Sequence, residues 1–217
     1  MRSIILFLAL SILAPSALAQ TVEPPEFDPP SLEDLPNPSV DSDPTETPGP
    51  AIQQDGQKES ELDRLFQALQ TAGNAEAASK ISTDIQRLWL KSGSVTVDLL
   101  MARAGAALQS KDYALALDLL DTVVVLEPDF AEGWNRRATV YYLREEFGRS
   151  IVDIERVLAL EPRHWGAMSG LGIIMRRLDR KDEALSIFKQ VLAINPQNET
   201  ATKAIEELED ETNGDPA

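Results

Sequence analysis

Residues 131–164 read AEGWNRRATVYYLREEFGRSIVDIERVLALEPRH, and the chain repeats their pattern on both sides. Leu-Glu-Pro at 126–128 returns as Leu-Glu-Pro at 160–162 and as Ile-Asn-Pro at 194–196, so the prolines recur every 34 residues. A fixed period of a few tens of residues indicates a repeat architecture, in which each unit buries its apolar face against its neighbours.

The 34-residue unit has the pattern of a helical hairpin. Its apolar residues recur at spacings of three and four, as an amphipathic helix requires. A proline closes each unit, and proline cannot continue a helix, so it predicts the same turn after every hairpin. Each unit also carries two small residues, which allow two helix axes to approach closely. These pairs are Ala104 with Ala116, Ala138 with Ser150, and Gly172 with Ala184.

These positions resemble the signature of the tetratricopeptide repeat (TPR) family. In the usual frame of that family the repeats are 97–130, 131–164 and 165–198. The resemblance implies an all-α, right-handed solenoid of stacked antiparallel helical hairpins. Arg103 and Arg137 depart from the pattern, since leucine is commoner there. The middle repeat matches best, through Trp134, Ala138, Tyr141, Phe147, Ser150, Ile154 and Pro162.

Two flanking segments complete the predicted TPR domain, which spans residues 59–210 and resembles exported TPR proteins of proteobacteria. Residues 59–92 form a degenerate helical pair that we expect to extend the stack at its N-terminal end. Terminal repeats are often atypical, because one of their faces meets solvent. Residues 199–210 are a predicted capping helix, and 211–217 a disordered tail.

The N-terminus has the pattern of an export signal. Arg2 precedes an apolar run of ten residues, Ile4 to Leu13, and Ala17-Leu18-Ala19 is a small-x-small cleavage pattern. Residues 1–19 are therefore a predicted signal peptide. An uncleaved membrane anchor is the alternative, but the run is shorter than the ~20 apolar residues that a spanning helix needs. We expect a periplasmic protein without stable membrane insertion after cleavage.

Residues 20–58 are a predicted disordered linker. They contain nine prolines and nine acidic residues, against a single basic residue, Lys58. Proline interrupts helices and sheet ladders, and like charges repel, so the segment cannot form a core of its own. We expect it to act as an extended spacer.

Composition excludes several classes of function. The net charge of −16 disfavours nucleic-acid binding, which needs a basic surface. The chain has no cysteine and one histidine, His164, so thiolate chemistry and a histidine-based metal site are not expected. His164 follows Pro162 and is expected to be a solvated turn residue. No phosphate loop or nucleophile motif is present, and we predict no enzyme activity, no cofactor and no metal.

The TPR resemblance implies a peptide-binding site. The first helices of TPR repeats line a concave groove that commonly holds an extended or helical peptide, so the expected partner is a protein. Gly166 and Gly170 stand where chaperone-binding TPRs place the basic residues of a carboxylate clamp, which disfavours a chaperone C-terminus. The predicted groove residues are Met101, Leu108, Asn135, Thr139, Tyr142, Leu143, Ile173 and Arg176.

Charged residues suggest two further features. Arg137 points toward the hairpin interior in the repeat frame, and we predict an ion pair with Asp153; the alternative is that its stem lies on the core while its head reaches water. The basic cluster, defined as Arg176, Arg177, Arg180 and Lys181, could attract an acidic partner or the chain's own linker. A solvated basic edge is the favoured interpretation of this cluster.

The sequence therefore predicts a protein–protein interaction module, acting as a periplasmic adaptor or assembly scaffold for an envelope complex. The alternative is an accessory subunit that binds a small molecule or a glycan. That alternative requires a closed pocket with convergent polar groups, whereas the repeat pattern predicts an open groove.

Overall fold

The computed structural model describes the backbone of residues 51–213 and the side chains of residues 58–211. The predicted signal peptide, the predicted linker up to residue 50 and the last four residues lie outside the described residues. Within this part of the chain there are nine α-helices and no strand. The helices are α1 (Ala51–Gln70), α2 (Ala75–Trp89), α3 (Val95–Gln109), α4 (Tyr113–Leu126), α5 (Ala131–Leu143), α6 (Phe147–Leu160), α7 (Trp165–Arg177), α8 (Lys181–Ile194) and α9 (Glu199–Asn213).

Three consecutive hairpins form the body of the fold. The first repeat is α3–α4, the second is α5–α6 and the third is α7–α8, and each second helix also packs on the helix that follows it. Pro128, Pro162 and Pro196 each stand two residues beyond the end of a second helix. The prediction of equivalent turns between hairpins is therefore confirmed.

The turn inside each hairpin also repeats, at positions that carry no glycine. Lys111, Glu145 and Asp179 all adopt the left-handed region, with φ of 60°, 60° and 59°. In the first of these turns the amide of Asp112 donates to Ala107 O at 2.8 Å, which satisfies a carbonyl at the helix end. A left-handed L-residue costs about 1–2 kcal/mol, so packing of the two helices holds these turns in place.

The small residues lie where the two helices of a hairpin come closest. Ala116 and Ala184 are completely buried. In the second repeat Ser150 Oγ donates to Ala138 O at 2.8 Å across the hairpin. At Gly172 a Cβ atom would lie 2.8 Å from Phe188 Cζ, closer than van der Waals contact allows. The third repeat therefore needs a residue without a side chain at this point.

The N-terminal pair, α1–α2, does not stack against the first repeat as the sequence predicted. Its apolar residues share one core with the third repeat and α9, and they are absent from the core around α3 and α4. Phe66 contacts Trp165 edge-on, with ring centroids 5.8 Å apart. Trp89 lies 4.7 Å from Trp165, between centroids. The pair therefore bypasses its neighbour in the chain and packs on the third repeat.

Polar contacts fix the N-terminal pair at the turns on either side of the third repeat. Gln70 Nε2 donates to Ala193 O at 2.7 Å and to Ile194 O at 2.8 Å, which satisfies carbonyls at the end of α8. Arg163 pairs with Asp63 at 2.5 Å and lies 4.2 Å from the ring centre of Phe66. These contacts specify the position of the pair on the third repeat.

Burial makes this attachment strong. Six apolar residues of the pair are at most 7% exposed, and fully burying a large apolar side chain contributes about 1.5–3 kcal/mol. The N-terminal pair is therefore an integral part of the fold. The six are Leu62, Phe66, Leu69, Ala78, Ile85 and Trp89.

Three predicted boundaries also differ from the structure. Helix α1 begins at Ala51, inside the segment predicted as linker, and α2 ends at Trp89. Helix α9 continues to Asn213, beyond the predicted end at residue 210. These differences lie at helix ends, where local sequence patterns define a boundary least well.

The predicted ion pair between Arg137 and Asp153 is confirmed. Arg137 Nε donates to Asp153 Oδ2 and its Nη2 to Oδ1, both at 2.8 Å, while Nη1 reaches Asp121 Oδ1 at 2.8 Å. The Asp153 side chain is 2% exposed and the Asp121 side chain 55%. Hydrogen bonding to Asp153 raises the pKa of Arg137 well above its ordinary value and outweighs the effect of burial. This arginine thus joins α4, α5 and α6.

We expect Asp153→Asn to lower the free energy of unfolding by about 2 kcal/mol, because it leaves a largely buried guanidinium without its bidentate partner. Asp121→Asn is the matched control, since it removes an exposed carboxylate from the same arginine and should cost at most about 0.5 kcal/mol. Urea unfolding followed by circular dichroism measures both. Equal effects of the two substitutions would contradict the assignment of Asp153 as the dominant partner.

Candidate functional site

The predicted groove is formed by the first helices of the three repeats, α3, α5 and α7. On α3, Met101 is only 6% exposed and belongs to the core of the first repeat. Its predicted contact with a peptide is therefore wrong, because its thioether already fills the hairpin interior. Leu108 is half-buried against the same core.

Helix α5 carries the central part of the predicted groove. Asn135, Thr139 and Tyr142 are half-buried, and Leu143 is 39% exposed. Thr139 Oγ1 donates to Asn135 O at 3.0 Å, so it keeps lone pairs for a ligand. The Tyr142 ring packs 5.8 Å from that of Phe147, between centroids. The helix thus presents a mixed strip of amide, hydroxyl, aromatic and aliphatic groups.

Helix α7 carries the last two predicted groove residues, Ile173 and Arg176. Ile173 is half-buried against the core that contains the third repeat. Arg176 donates to Glu207 Oε2 at 2.6 Å and also to Glu211 Oε1, both on α9. Hydrogen bonding to Glu207 raises the pKa of Arg176 above its ordinary value, and burial only partly opposes the shift. Arg176 is therefore engaged within the chain.

The same acidic residues of α9 change the interpretation of the basic cluster. Lys181 Nζ lies 3.4 Å from Glu211 Oε2, and Arg180 pairs with Glu183 at 2.5 Å. Hydrogen bonding to Arg176 lowers the pKa of Glu211. Three of the four cluster residues thus have acidic partners within the described residues, which reduces the positive charge available to an external acidic segment.

A buried polar cluster lies beside the predicted groove, and sequence reasoning missed it. Glu132 on α5 accepts from Arg136 Nε at 3.2 Å and from Asn135 Nδ2 at 3.0 Å. His164 Nε2 lies 3.3 Å from Glu132 Oε2. Since His164 Nδ1 accepts from the Ala167 amide at 3.0 Å, Nε2 carries the ring proton and donates to the carboxylate. The cluster links α5 to the start of α7.

His164 is not the solvated turn residue that the sequence predicted. It is 3% exposed, and its ring stacks on that of Trp89 with centroids 4.1 Å apart. It is also the N-cap of α7, through the hydrogen bond to Ala167. Trp89 comes from the N-terminal pair, so the burial of His164 depends on a helix that is distant in sequence. No local signal in the chain could have revealed it.

Electrostatics keep the Glu132 carboxylate charged. Burial alone would raise its pKa, but the hydrogen bond from His164, the charge of Arg136 and the amide of Asn135 together lower the pKa below its ordinary value. Three neighbouring side chains thus contact the same carboxylate, which holds α5 against the start of α7.

Other ligand classes find little support in residues 51–213. The part of the chain whose side chains are described, residues 58–211, contains no group of three or more His, Asp or Glu side chains arranged to hold a metal ion. None of its helices combines the length and the apolar character needed to cross a membrane. A pocket of about 330 Å³ lies between α1 and the third repeat, lined by residues that include Phe66 and Arg163, and it is open to solvent.

Comparison with known proteins identifies the family. The tetratricopeptide repeat model matches residues 135–199. A TPR repeat-containing protein of Rhizobium etli is 39% identical over 153 residues, covering 70% of this chain and 75% of the relative. The chain therefore belongs to the family of TPR repeat proteins.

Solved structures show the same fold at low sequence identity. The TPR domain of Sgt2 from Aspergillus fumigatus superposes with a TM-score of 0.53 at 18% identity, covering 57% of this chain and 87% of that domain. The first TPR of Spaghetti (RPAP3), solved bound to an HSP90 peptide, gives a TM-score of 0.51 at 20% identity, covering 54% and 93%. These matches establish the all-α TPR solenoid.

The charge of Glu132 generates a prediction about pH. Because its pKa is lower in the folded than in the unfolded chain, its stabilising effect is complete above about pH 4.3, the ordinary value, and is lost as pH falls through the folded-state pKa. We expect Glu132→Gln to lower the free energy of unfolding by about 2 kcal/mol at pH 7 and to flatten its fall on acidification.

Urea titrations at several pH values between 7 and 3 measure this effect. Glu155→Gln is the control, because Glu155 is an exposed glutamate on the neighbouring helix α6. If Glu132→Gln and Glu155→Gln gave the same stability at neutral pH, the cluster would not contribute to the fold as described.

Proposed function

We propose that this protein is a periplasmic adaptor or assembly scaffold that binds a peptide segment of a partner protein along α5 and α7. The observation that carries the proposal is the mixed strip on α5, where half-buried Asn135, Thr139 and Tyr142 adjoin exposed Leu143. Alternating polar and apolar groups on a rigid surface can fix the register of a peptide and also bury its side chains.

The electrostatics of the strip favour an uncharged or weakly charged segment. Arg176 is paired with Glu207 and Glu211, and the positions of Gly166 and Gly170 carry no charge. A peptide with an acidic C-terminus would therefore find no free basic clamp. The HSP90 peptide bound by Spaghetti supports peptide binding by this fold in general, and we extend only that general property to this chain.

The proposed location is the periplasm. Its support is the pattern of residues 1–19, in which one basic residue, an apolar run and a small-x-small site follow in the order of an export signal. The absence of cysteine is compatible with an oxidising compartment. The adaptor would then act on proteins of the cell envelope, without catalysis of its own.

A pull-down from periplasmic extract tests the proposed groove. We expect Tyr142→Ala combined with Ile173→Ala to reduce recovery of the bound partner by about tenfold, because about 1.4 kcal/mol of contact energy would be lost. Val152→Ala is the control, since Val152 is 62% exposed on α6. Circular dichroism confirms that both variants are folded. If the double variant recovered every partner as well as wild type does, the groove would not be the binding surface.

A further inference from the structure

The face of α3 that points away from α5 is exposed, although its counterparts in the other repeats are buried. Leu99 is 59% exposed, whereas Gly133 and Ala167, its equivalents 34 and 68 residues on, are buried. A Cβ atom at Gly133 would lie 2.7 Å from Val123 on the second helix of the preceding repeat. This position therefore packs on the preceding hairpin wherever one is present.

Two further positions show the same contrast. Ala106 is exposed, but its equivalents Val140 and Ile174 are completely buried within the cores of the first and second repeats respectively. Arg103 is exposed and has no ion-pair partner in the described region, whereas its equivalent Arg137 pairs with Asp121 of the preceding repeat. The surface of α3 is thus a stacking face that lacks its neighbour.

Helix α4 extends this surface. In the second repeat, Arg156 of α6 reaches back to Pro128 O at 3.1 Å and to Asp129 at 3.0 Å, in the turn before that repeat. Thr122 on α4 is the equivalent of Arg156 in the first repeat. It therefore lies on the side of α4 that faces away from α5. Leu126 lies on this side of α4, four residues after Thr122, and its equivalents Leu160 and Ile194 are half-buried.

Exposed apolar residues concentrate on this hairpin. Eight large hydrophobic residues are exposed in the described part of the chain, and five of them belong to α3 or α4. We name this surface, together with Arg103, the open-end face. Its apolar members are Leu99 at 59% exposure and Leu126 at 51%, whose equivalents in the other two repeats are buried or half-buried. Val95, Leu115 and Val125 are also exposed on this hairpin, at positions that are mostly exposed in the other repeats too.

The N-terminal pair does not cover the open-end face. In chain order α2 is the helix that would stack on α3, but Phe66 and Trp89 are held in the aromatic contacts with Trp165 and His164. Moving the pair to the first repeat would expose these side chains and break the contacts of Gln70 to the end of α8. Within the described residues, the N-terminal pair therefore leaves the open-end face uncovered.

We propose that the open-end face binds the same face of a second copy of this chain, forming a twofold dimer. A twofold interface must be self-complementary, so it needs both charges on one surface. The hairpin provides them, because Arg103 on α3 and the exposed carboxylate of Asp118 on α4 both lack ion-pair partners in the described region. The twofold axis places Arg103 of one copy against Asp118 of the other and buries the apolar residues between them.

The continuity of the inter-repeat interface supports this assignment. Leu99 and Ala106 of α3 would meet the environment that their equivalents already have at the two internal junctions, where Gly133, Ala167, Val140 and Ile174 are buried. The dimer would double the number of peptide-binding strips, so that an adaptor engages two partner segments at once and gains avidity.

Sedimentation velocity of the purified protein, at concentrations up to on the order of 100 μM, tests the proposal. We expect a dimer whose dissociation constant rises by about 100-fold in Leu99→Glu, since a buried charge replaces a central apolar contact. Val152→Glu, at an exposed position of α6, should leave it unchanged. Arg103→Asp should weaken the dimer, and Asp118→Arg in the same chain should restore it.

Chemical crosslinking provides an independent test of the proposed dimer. The chain has no cysteine, so Leu99→Cys introduces a single thiol near the proposed axis and should form a disulfide-linked dimer on oxidation, whereas Val152→Cys should not. A monomer at every concentration, or a dimer that Leu99→Glu does not weaken, would overturn the proposal. If the protein were a monomer, we would infer that another segment of the chain or a different protein covers the open-end face.

Discussion

The structure depends on the burial of α5 and α7, the first helices of the second and third repeats, against the hairpin before each of them. Val140 and Ile174 are fully buried at these junctions, and Gly133 lies so close to Val123 that a methyl group would not fit. No hairpin of about thirty residues can bury its apolar surface alone, so the stack is the smallest stable unit. Close packing at the junctions makes the solenoid rigid. A rigid surface loses little conformational entropy when it binds a peptide, so this packing favours recognition by the groove residues.

The N-terminal pair must also bury its apolar residues, but it does so against a repeat that is not its neighbour in the chain. It packs across the turns that flank the third repeat, where Trp89 covers His164 and Gln70 satisfies the end of α8. The third repeat is consequently enclosed by α9 and by the N-terminal pair, whereas the first repeat remains open. This asymmetry gives the stack one covered end and one exposed end, and the strip on α5 that we propose to bind a peptide lies between them.

Much of the fold could be predicted from the sequence, because the relevant interactions are local or periodic. Three prolines at a 34-residue spacing define the hairpins, and the small residues define where their helices touch. The ion pair between Arg137 and Asp153 was predictable from the repeat frame, since both residues lie near the contact of one hairpin. The groove residues of α5 remain a prediction from the family resemblance, whereas Met101 is directed into the core by neighbours that the frame does not specify.

Features that depend on distant segments could not be predicted. The apolar stripes of α1 and α2 require a partner, but the pattern does not say which repeat provides it. The buried state of His164 follows from that choice, because Trp89 supplies its cover. The engagement of Arg176 likewise depends on the position of α9, which the repeat pattern does not specify.

The position of the N-terminal pair is the central claim, and spin-label distances test it most directly. The chain has no cysteine, so labels can be attached to cysteines introduced at chosen sites. Gln67 on α1 would be labelled together with Gln190 on α8, or with Thr122, the equivalent position on α4. The account predicts a clearly shorter distance from Gln67 to Gln190 than to Thr122. A shorter distance to Thr122 would mean that the pair stacks on the first repeat, and would contradict it.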